Sequence, residues 1–524
     1  MPDPNTTPPV KPDRVYDPEN GGDDIQLYDH SDVASSRSGF PLPARSYSRR
    51  SVATSTSTQR FLRRTGFSAF YYHPITQVCL LGLVCFLCPG SFNALNGLGA
   101  AGRVDSGVNS NSNSALYATF TAAAFFAGSV NNKLGPRVLL FAGSLSYSLY
   151  VSSYLALTLH ADAGPYNIAS GAILGIGAGF LWTAQGSLML AYPTENNKGK
   201  FIAIFWSIFN LGGVVGAAVS LGQNYDSSVM TRGTYITFLV LTIVAVIIPL
   251  LMAAPNKMVR ADGSRVTTPR HPSWKAEFKG LWIALRTDPF IILLFPMFFA
   301  SNYFYTWQFS EYNAVLFNIQ GRALNNTVYW VAQILGSVSI GLLLDQKQYR
   351  RRIRAFLAWA ILLFMVMAVH IWAWYYQRDY SRGSVRRGTE KLGIEDDGYV
   401  PRVLLYISFG LLDAMWQTTS YWLIGAMSNS PQRLAHFTGF YKSMQSAGAA
   451  GVWRADGAGV PYLNIFYSTW GLLLAGLVFA LPMMHMRIRD HTTEDDELDF
   501  DGGGGGGDPS SVPLPARESE TWER

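Results

Sequence analysis

TYITFLVLTIVAVIIPLLMAA, residues 234–254, runs for 21 residues without a charged side chain. A bilayer core of about 30 Å takes roughly 20 mostly apolar helical residues to cross, so this stretch is long enough to span it. Eleven further stretches of the same kind lie at 76–99, 114–131, 136–157, 167–190, 201–222, 289–307, 326–344, 355–374, 401–424, 435–453 and 463–482, and almost every charge lies between them. Backbone groups in lipid must be hydrogen-bonded within their own segment, which predicts a helix for each stretch. The expected class is an all-α membrane protein with twelve transmembrane helices and the lipid bilayer as its solvent.

Composition supports this reading and narrows function. The chain has 524 residues, 14% of them aromatic and 15% charged, where globular proteins average about 25% charged. Short polar loops leave little room for a soluble catalytic domain. There is no nucleotide-binding loop, no His-Glu-x-x-His and no Ser/His/Asp set outside the spans, so neither an enzyme nor a cofactor is expected. The net charge of +6 sits in residues flanking membrane segments, where it sets topology and meets anionic headgroups, and it does not point to nucleic acid. Cys79, Cys85 and Cys88 all fall in the first span. They read as small apolar packing residues in preference to a metal or redox pair.

The predicted organisation is a polar tail at 1–70 with a basic juxtamembrane end, six helices in 71–255, a linker at 256–287, six helices in 288–485, and an acidic, glycine-rich tail at 486–524. Both tails lack apolar periodicity and are expected to be disordered. No cleavable signal peptide is visible, which leaves the first span as the insertion signal. Loops after even-numbered spans carry most of the Lys and Arg, including Arg350, Arg351, Arg352 and Arg354. The positive-inside rule therefore places both termini in the cytoplasm, with the basic run from Arg378 to Lys391 as an exception. Plasma membrane and vacuolar or endosomal membrane are not distinguished. Asn325-Asn326-Thr327 is a glycosylation sequon on the outer side, and both a used and an unused sequon fit. In the linker, Trp274, Phe278, Leu281, Trp282 and Leu285 at helical spacing predict an amphipathic helix on the inner headgroups, with Lys275, Lys279 and Arg286 among them.

The two sets of six share a pattern. FWSIFNLGGVVG (205–216) aligns without gaps to FYKSMQSAGAAG (440–451), keeping an aromatic pair, an amide (Asn210, Gln445) and two glycines. Gly128-x-Val-x-Asn132-Lys133-x-Gly135-x-Arg137 similarly faces Gly341-x-Leu-x-Asp345. The first of these motifs resembles the loop 2–3 signature of the major facilitator superfamily, whose acid caps a helix and locks the halves on the cytoplasmic side. That resemblance implies the major facilitator fold and a gating role for these loop residues. Asn132 stands where the superfamily has Asp and cannot form a charged latch, while Asp345 keeps the acid. Trp182-Thr-Ala-Gln185, Gly199-Lys-Phe-Ile-Ala-Ile-Phe-Trp206, Gly439-Phe-Tyr441-Lys442-Ser-Met-Gln445 and the run from Phe92-Asn93 through Asn96 to Gly102 resemble the Unc ninety-three family over roughly residues 70–485. The resemblance implies either a transporter or, as in the family's animal members, a regulatory or trafficking subunit.

Within the spans, Lys442 is the only central Lys or Arg and Asp413 the only central acid; Glu311 falls at the outer end of the seventh. A charge there costs about 2.5–3.5 kcal/mol on insertion scales, so a partner is expected. Counting residues from the intervening turn puts the two at depths about 5 Å apart at 1.5 Å per residue, which predicts an Asp413–Lys442 ion pair facing a central cavity. The pair reads either as a titrating, proton-coupled device or as a static lock. Asn93, Asn96, Trp182, Gln185, Asn210, Trp416, Gln417 and Gln445 are the other candidate lining residues, with interhelical hydrogen bonding as the alternative. Two functions remain open: a secondary transporter of a small solute, with possible proton coupling, or a non-transporting partner of another membrane protein.

Overall fold

The structure is a computed structural model that describes residues 67–97, 106–160, 162–224, 232–260, 266, 274–287, 289–388 and 390–489. The expectations for residues 1–66 and 490–524 lie outside these, as does the side chain of Asn96. Helix extends slightly past the predicted tail boundaries toward the termini, because Phe67–Tyr71 forms a short helix and the last helix reaches Arg487.

Helix occupies each of the twelve predicted stretches. We label them α1 (Pro74–Leu87, continued by Pro89–Gly97), α2 (Ser106–Leu134), α3 (Pro136–Leu159), α4 (Gly164–Ala191), α5 (Lys198–Asn224) and α6 (Arg232–Leu251). The second set is α7 (Phe290–Leu293, Phe295–Ala300, a π-helical stretch Thr306–Asn313, and Ala314–Leu316), α8 (Ile319–Leu344), α9 (Arg351–Gln377), α10 (Tyr399–Met427), α11 (Pro431–Gly457) and α12 (Tyr462–Arg487). Proline sets several starts, since its missing N–H is harmless in a first turn. Pro136 follows Gly135, whose φ of 86° only glycine adopts freely.

Eight of these helices are long and apolar enough to cross a membrane by length and composition alone; α2, α7, α10 and α11 fall short. Packing explains the shortfall. α2 lies against α4 and α11, α10 lies against α8, and α11 also meets α4 and α7. Surfaces facing protein can carry Ser, Asn, Gln and Gly that lipid would reject. The opposite case is α6, α9 and α12, which have only 33–39% of their most apolar window buried, against 78% for α4. Ile236, Val240, Ile243 and Ile247 on α6 and Phe364 and Ile371 on α9 project outward as lipid-facing residues.

The glycine ladder of α4 faces α2. A Cβ on Gly175 would stand 2.1 Å from the Leu116 carbonyl oxygen, and one on Gly171 would stand 2.6 Å from Ser112 Oγ. The first six helices meet the second six chiefly where α2 crosses α11 and where α5 crosses α8. The linker helix, Trp274–Thr287, packs against α2 and α11. Leu281 is buried there while Lys275, Lys279, Trp282 and Arg286 are exposed.

The basic exception between α9 and α10 has a local cause. Arg382 is ion-paired to Glu311 at 3.3 Å and to Asp456 at 2.5 Å, and Arg378 lies over the Tyr375 ring at 4.6 Å. The loop also holds Leu392 against Leu316 and Asn318 by backbone hydrogen bonds of 2.9 and 3.0 Å. Asn325 is fully buried, donating from Nδ2 to Asn313 at 2.9 Å and accepting from Tyr399 at 2.7 Å. The nitrogen that would carry a glycan is inside the packed helix ends, which favours the unused reading of this sequon.

Candidate functional site

On α10, Asp413, Gln417 and Tyr421 recur every four residues and so share one face. That face looks across the bundle, and Asp413 is surrounded by neutral donors. Its Oδ2 accepts from Tyr305 at 2.8 Å, Tyr329 at 3.0 Å and Gln333 at 2.5 Å; its Oδ1 accepts from Gln417 at 2.7 Å. Hydrogen bonds to a charged group contribute roughly 1.5–3 kcal/mol each, so four of them outweigh the insertion cost of one carboxylate.

Lys442 is solvated differently. On α11, Tyr441, Lys442 and Gln445 fall within one turn. The Lys442 Nζ donates to Gln445 Oε1 at 2.7 Å and lies over the rings of Trp182 (4.5 Å), Tyr441 (4.9 Å) and Tyr421 (5.2 Å). Such contacts reach about 2 kcal/mol when desolvated. The expected Asp413–Lys442 ion pair is therefore absent. A chain of two amides stands in its place: Gln445 Nε2 donates to Gln417 Oε1 at 3.0 Å, and Gln417 Nε2 donates to Asp413. The physical reason is that the Asp413 carboxylate and the Lys442 ammonium each meet an intervening glutamine, Gln417 and Gln445, rather than one another. Asn302 also accepts from Gln445 at 2.9 Å.

Several of these partners have no mark in the sequence. Asn302 and Tyr305 sit where α7 breaks between Ala300 and Thr306, just before its π-helical stretch. Discontinuous helices free polar groups at mid-membrane, the setting in which transporters build sites. Tyr329 and Gln333 lie one turn apart on α8, and Gln333 Oε1 accepts from Trp206 of α5 at 3.2 Å. The one available signal was the density of amides and tyrosines in α7 and α8.

The remaining candidates divide. Trp182 packs edge-on to Phe209 and is half-buried beside Lys442, and Gln185 accepts from Tyr421 at 3.2 Å. Trp416 turns away, donating to the Met297 carbonyl at 3.1 Å and Ser301 at 3.2 Å, and serves packing against α7. Asn93 is half-buried on α1. Asn210 is fully buried with both amide atoms unpartnered.

At one end the two sets of helices are clamped together. Asp345 caps α8 and accepts from the backbone N–H of Gly199 at 2.8 Å and Lys200 at 2.5 Å, at the start of α5. Burial pushes its carboxyl up to about 6, with those two N–H groups pulling the other way. A side chain at Gly199 would put a Cβ 2.7 Å from Asp345 Oδ1. Lys198 reaches into the C-terminus of α10, donating to the Gly425 carbonyl, to Ser428 O at 3.1 Å and to Asn429 Oδ1 at 2.8 Å. A cation at a helix C-terminus and an anion at an N-terminus are both stabilised by the helix dipole. Across the bundle, Asn132 Nδ2 donates to Gln432 O at 3.4 Å and meets His436 Nε2 at 3.3 Å. Gly128 packs so tightly that a Cβ would lie 2.6 Å from the Ala435 carbonyl oxygen. Arg137 donates to the Pro249 carbonyl at 3.2 Å and to that of Leu250, so it caps α6. Lys133 is half-buried between the two ends of this loop.

These helices, their pairwise crossing and the polar centre define a membrane protein with the major facilitator fold. Two solved transporters of that superfamily match it with a TM-score of 0.58 each: FucP in its outward conformation, at 13% identity over 79% of this chain and 99% of that one, and the proton:xylose symporter XylE, at 14% over 83% and 100%. At such identity the likeness concerns the fold alone. The chain belongs to the UNC-93 family, described as ion channel regulatory protein UNC-93, which matches residues 102–455. An UNC93-like protein of Schizosaccharomyces pombe is 43% identical over 425 residues, covering 80% of this chain and 84% of the relative. UNC93-like protein 1 of Arabidopsis thaliana is 38% identical over 427 residues, covering 80% and 92%.

Proposed function

We propose that this protein is a secondary transporter of a small solute, working by alternating access between its two six-helix halves, with both termini in the cytoplasm. The observation that carries this reading is the placement of Asp413 and Lys442. They are buried charges at mid-bundle, bridged by amides and bordered by half-buried Trp182, Asn302 and Tyr305, above a clamped end. One sealed end and a polar centre suit a cavity that opens alternately to either side. Asp413 is the coupling carboxylate, because protonation would cancel the charge that four donors converge on.

The test is uptake into proteoliposomes under an imposed pH gradient. Gradient-driven accumulation is expected for the wild type, and Asp413→Asn is expected to abolish it while leaving membrane insertion intact. Gradient-driven uptake unchanged in Asp413→Asn would remove the coupling role. The accessory reading, which the family's description favours, predicts no uptake over a broad solute panel and a stoichiometric membrane protein on purification.

A further inference from the structure

The charge balance around Lys442 is lopsided. Asp413 receives four hydrogen bonds from neutral groups, so its charge is met without Lys442. Lys442 gives one hydrogen bond, to Gln445 Oε1, and otherwise lies over the faces of Trp182, Tyr421 and Tyr441, with the Cys85 thiol as a further neighbour. An ammonium has three donors. A buried cation that uses one of them on oxygen is poised to take an anion, and its positive field would repel a cationic solute from the same chamber. The walls there are aromatic: Phe209 packs on Trp182, and Phe298 packs on Tyr441 with ring centroids 4.7 Å apart. Trp182 is the half-buried member, so approach runs along its ring from the first half of the molecule.

We propose that Lys442 is the anion-recognition point of the central chamber and that the solute is a small organic carboxylate with an apolar or aromatic body. The inference rests on the transport reading for its cavity. The carboxylate takes the two unspent N–H groups of Lys442, and the apolar body lies against Trp182. Because Gln445 touches both Lys442 and Gln417, a carboxylate drawing Lys442 toward itself tugs the amide chain that ends on Asp413. Occupancy of the anion site and the state of the carboxylate are thereby linked without direct contact.

The experiment is equilibrium binding to the full-length protein in nanodiscs. Tryptophan fluorescence and unfolding temperature are followed during titration with benzoate, benzamide and benzylamine. The expected result is saturable quenching and a rise in unfolding temperature with benzoate, with affinity at least about tenfold above that of the isosteric amide, a margin of about 1.4 kcal/mol, and no saturable signal with the amine. Lys442→Arg is expected to retain benzoate binding and Lys442→Met to lose it. The comparison among the three probes on the wild type stands even where Lys442→Met does not fold. Tighter binding of the amine, equal binding of the amide, or no saturable benzoate signal up to roughly 20 mM, where any affinity would be weaker than the ~1 mM that corresponds to about 4 kcal/mol, overturns the proposal. Uptake of neutral or cationic solutes with no carboxylate bound overturns this inference and leaves transport intact. Carboxylate binding without any uptake does the reverse.

Discussion

Asp345 and Asn132 occupy the same place in the two repeats, yet they hold the molecule shut in opposite senses. Asp345 accepts from two backbone N–H groups of α5, whereas Asn132 donates to a backbone carbonyl and a ring nitrogen of α11. Both sit beside a glycine that lets helices approach to contact distance, Gly199 in one case and Gly128 in the other. The difference shows that the repeat preserves a geometry of close crossing and leaves the polarity of the contact free to drift. Burial raises the Asp345 carboxyl to about 6 while the N–H groups of Gly199 and Lys200 pull it back down.

Four experiments would break or sharpen that contrast, all read by the alkylation rate of a cysteine placed at Thr438, which lies between α4 and α11 within the sealed end. The largest effect is expected for Asp345→Ala. It removes the acceptor of two backbone N–H groups at the start of α5, of which the part-buried one at Gly199 costs roughly 1–3 kcal/mol when left unpaired, so alkylation should accelerate by about tenfold. Asp345→Asn keeps one acceptor and should stay within about threefold of wild type; acceleration equal to that of alanine would mean the charge is the latch. Lys198→Met comes next. It strips the carbonyls of Gly425 and Ser428 of their cation, at a cost of about 1–3 kcal/mol. Unchanged alkylation there would leave Lys198 a passive packing residue.

Asn132→Ala should be milder, about 0.5–1.5 kcal/mol for a neutral hydrogen bond. Asn132→Asp should accelerate alkylation at least as much as Asn132→Ala, because a carboxylate cannot donate to the Gln432 carbonyl and the about 0.3–1 kcal/mol it gains from the α11 dipole does not offset that loss. Slower alkylation in Asn132→Asp would show that the dipole outweighs the donor contacts. The smallest effect is pH dependence. The sealed state holds the Asp345 proton more tightly than an opened, hydrated state with an ordinary carboxylate value of 3.8. Acidification through about 6 therefore favours sealing, and that contribution is lost as pH rises above it. Alkylation should slow a few-fold between neutral and mildly acidic conditions, about 1 kcal/mol or less, and Asp345→Asn should flatten the profile. An identical profile in that variant would assign the dependence to another group.

The sequence made the architecture legible and the site only half so. Twelve apolar stretches found helices at the expected places because length and hydropathy act locally. Gly171 and Gly175 of α4 meet α2 for an equally local reason: small residues four apart on a helix share one face. Asp413 and Lys442 were visible as lone charges within apolar runs. Their partners were not. Tyr305 lies 108 residues from Asp413, Gln333 lies 80 away, and the break in α7 that presents Tyr305 follows from packing rather than from one residue. Trp416 shows the converse failure, since a polar-tipped aromatic within a span carries no sign of which way it turns.

Lipid as the surrounding solvent, two repeated sets of helices and two costly charges in the second set were determined by the order of residues alone, because each depends on how a short segment transfers from water to hydrocarbon. The tertiary structure decided that the acid and the amine are bridged by Gln417 and Gln445, that Asn325 is enclosed, and that Asp345 and Lys198 seal one end. Those outcomes depend on distances between helices set by side chains far apart in the chain, and a one-dimensional pattern contains depth along a helix but not the spacing between two of them.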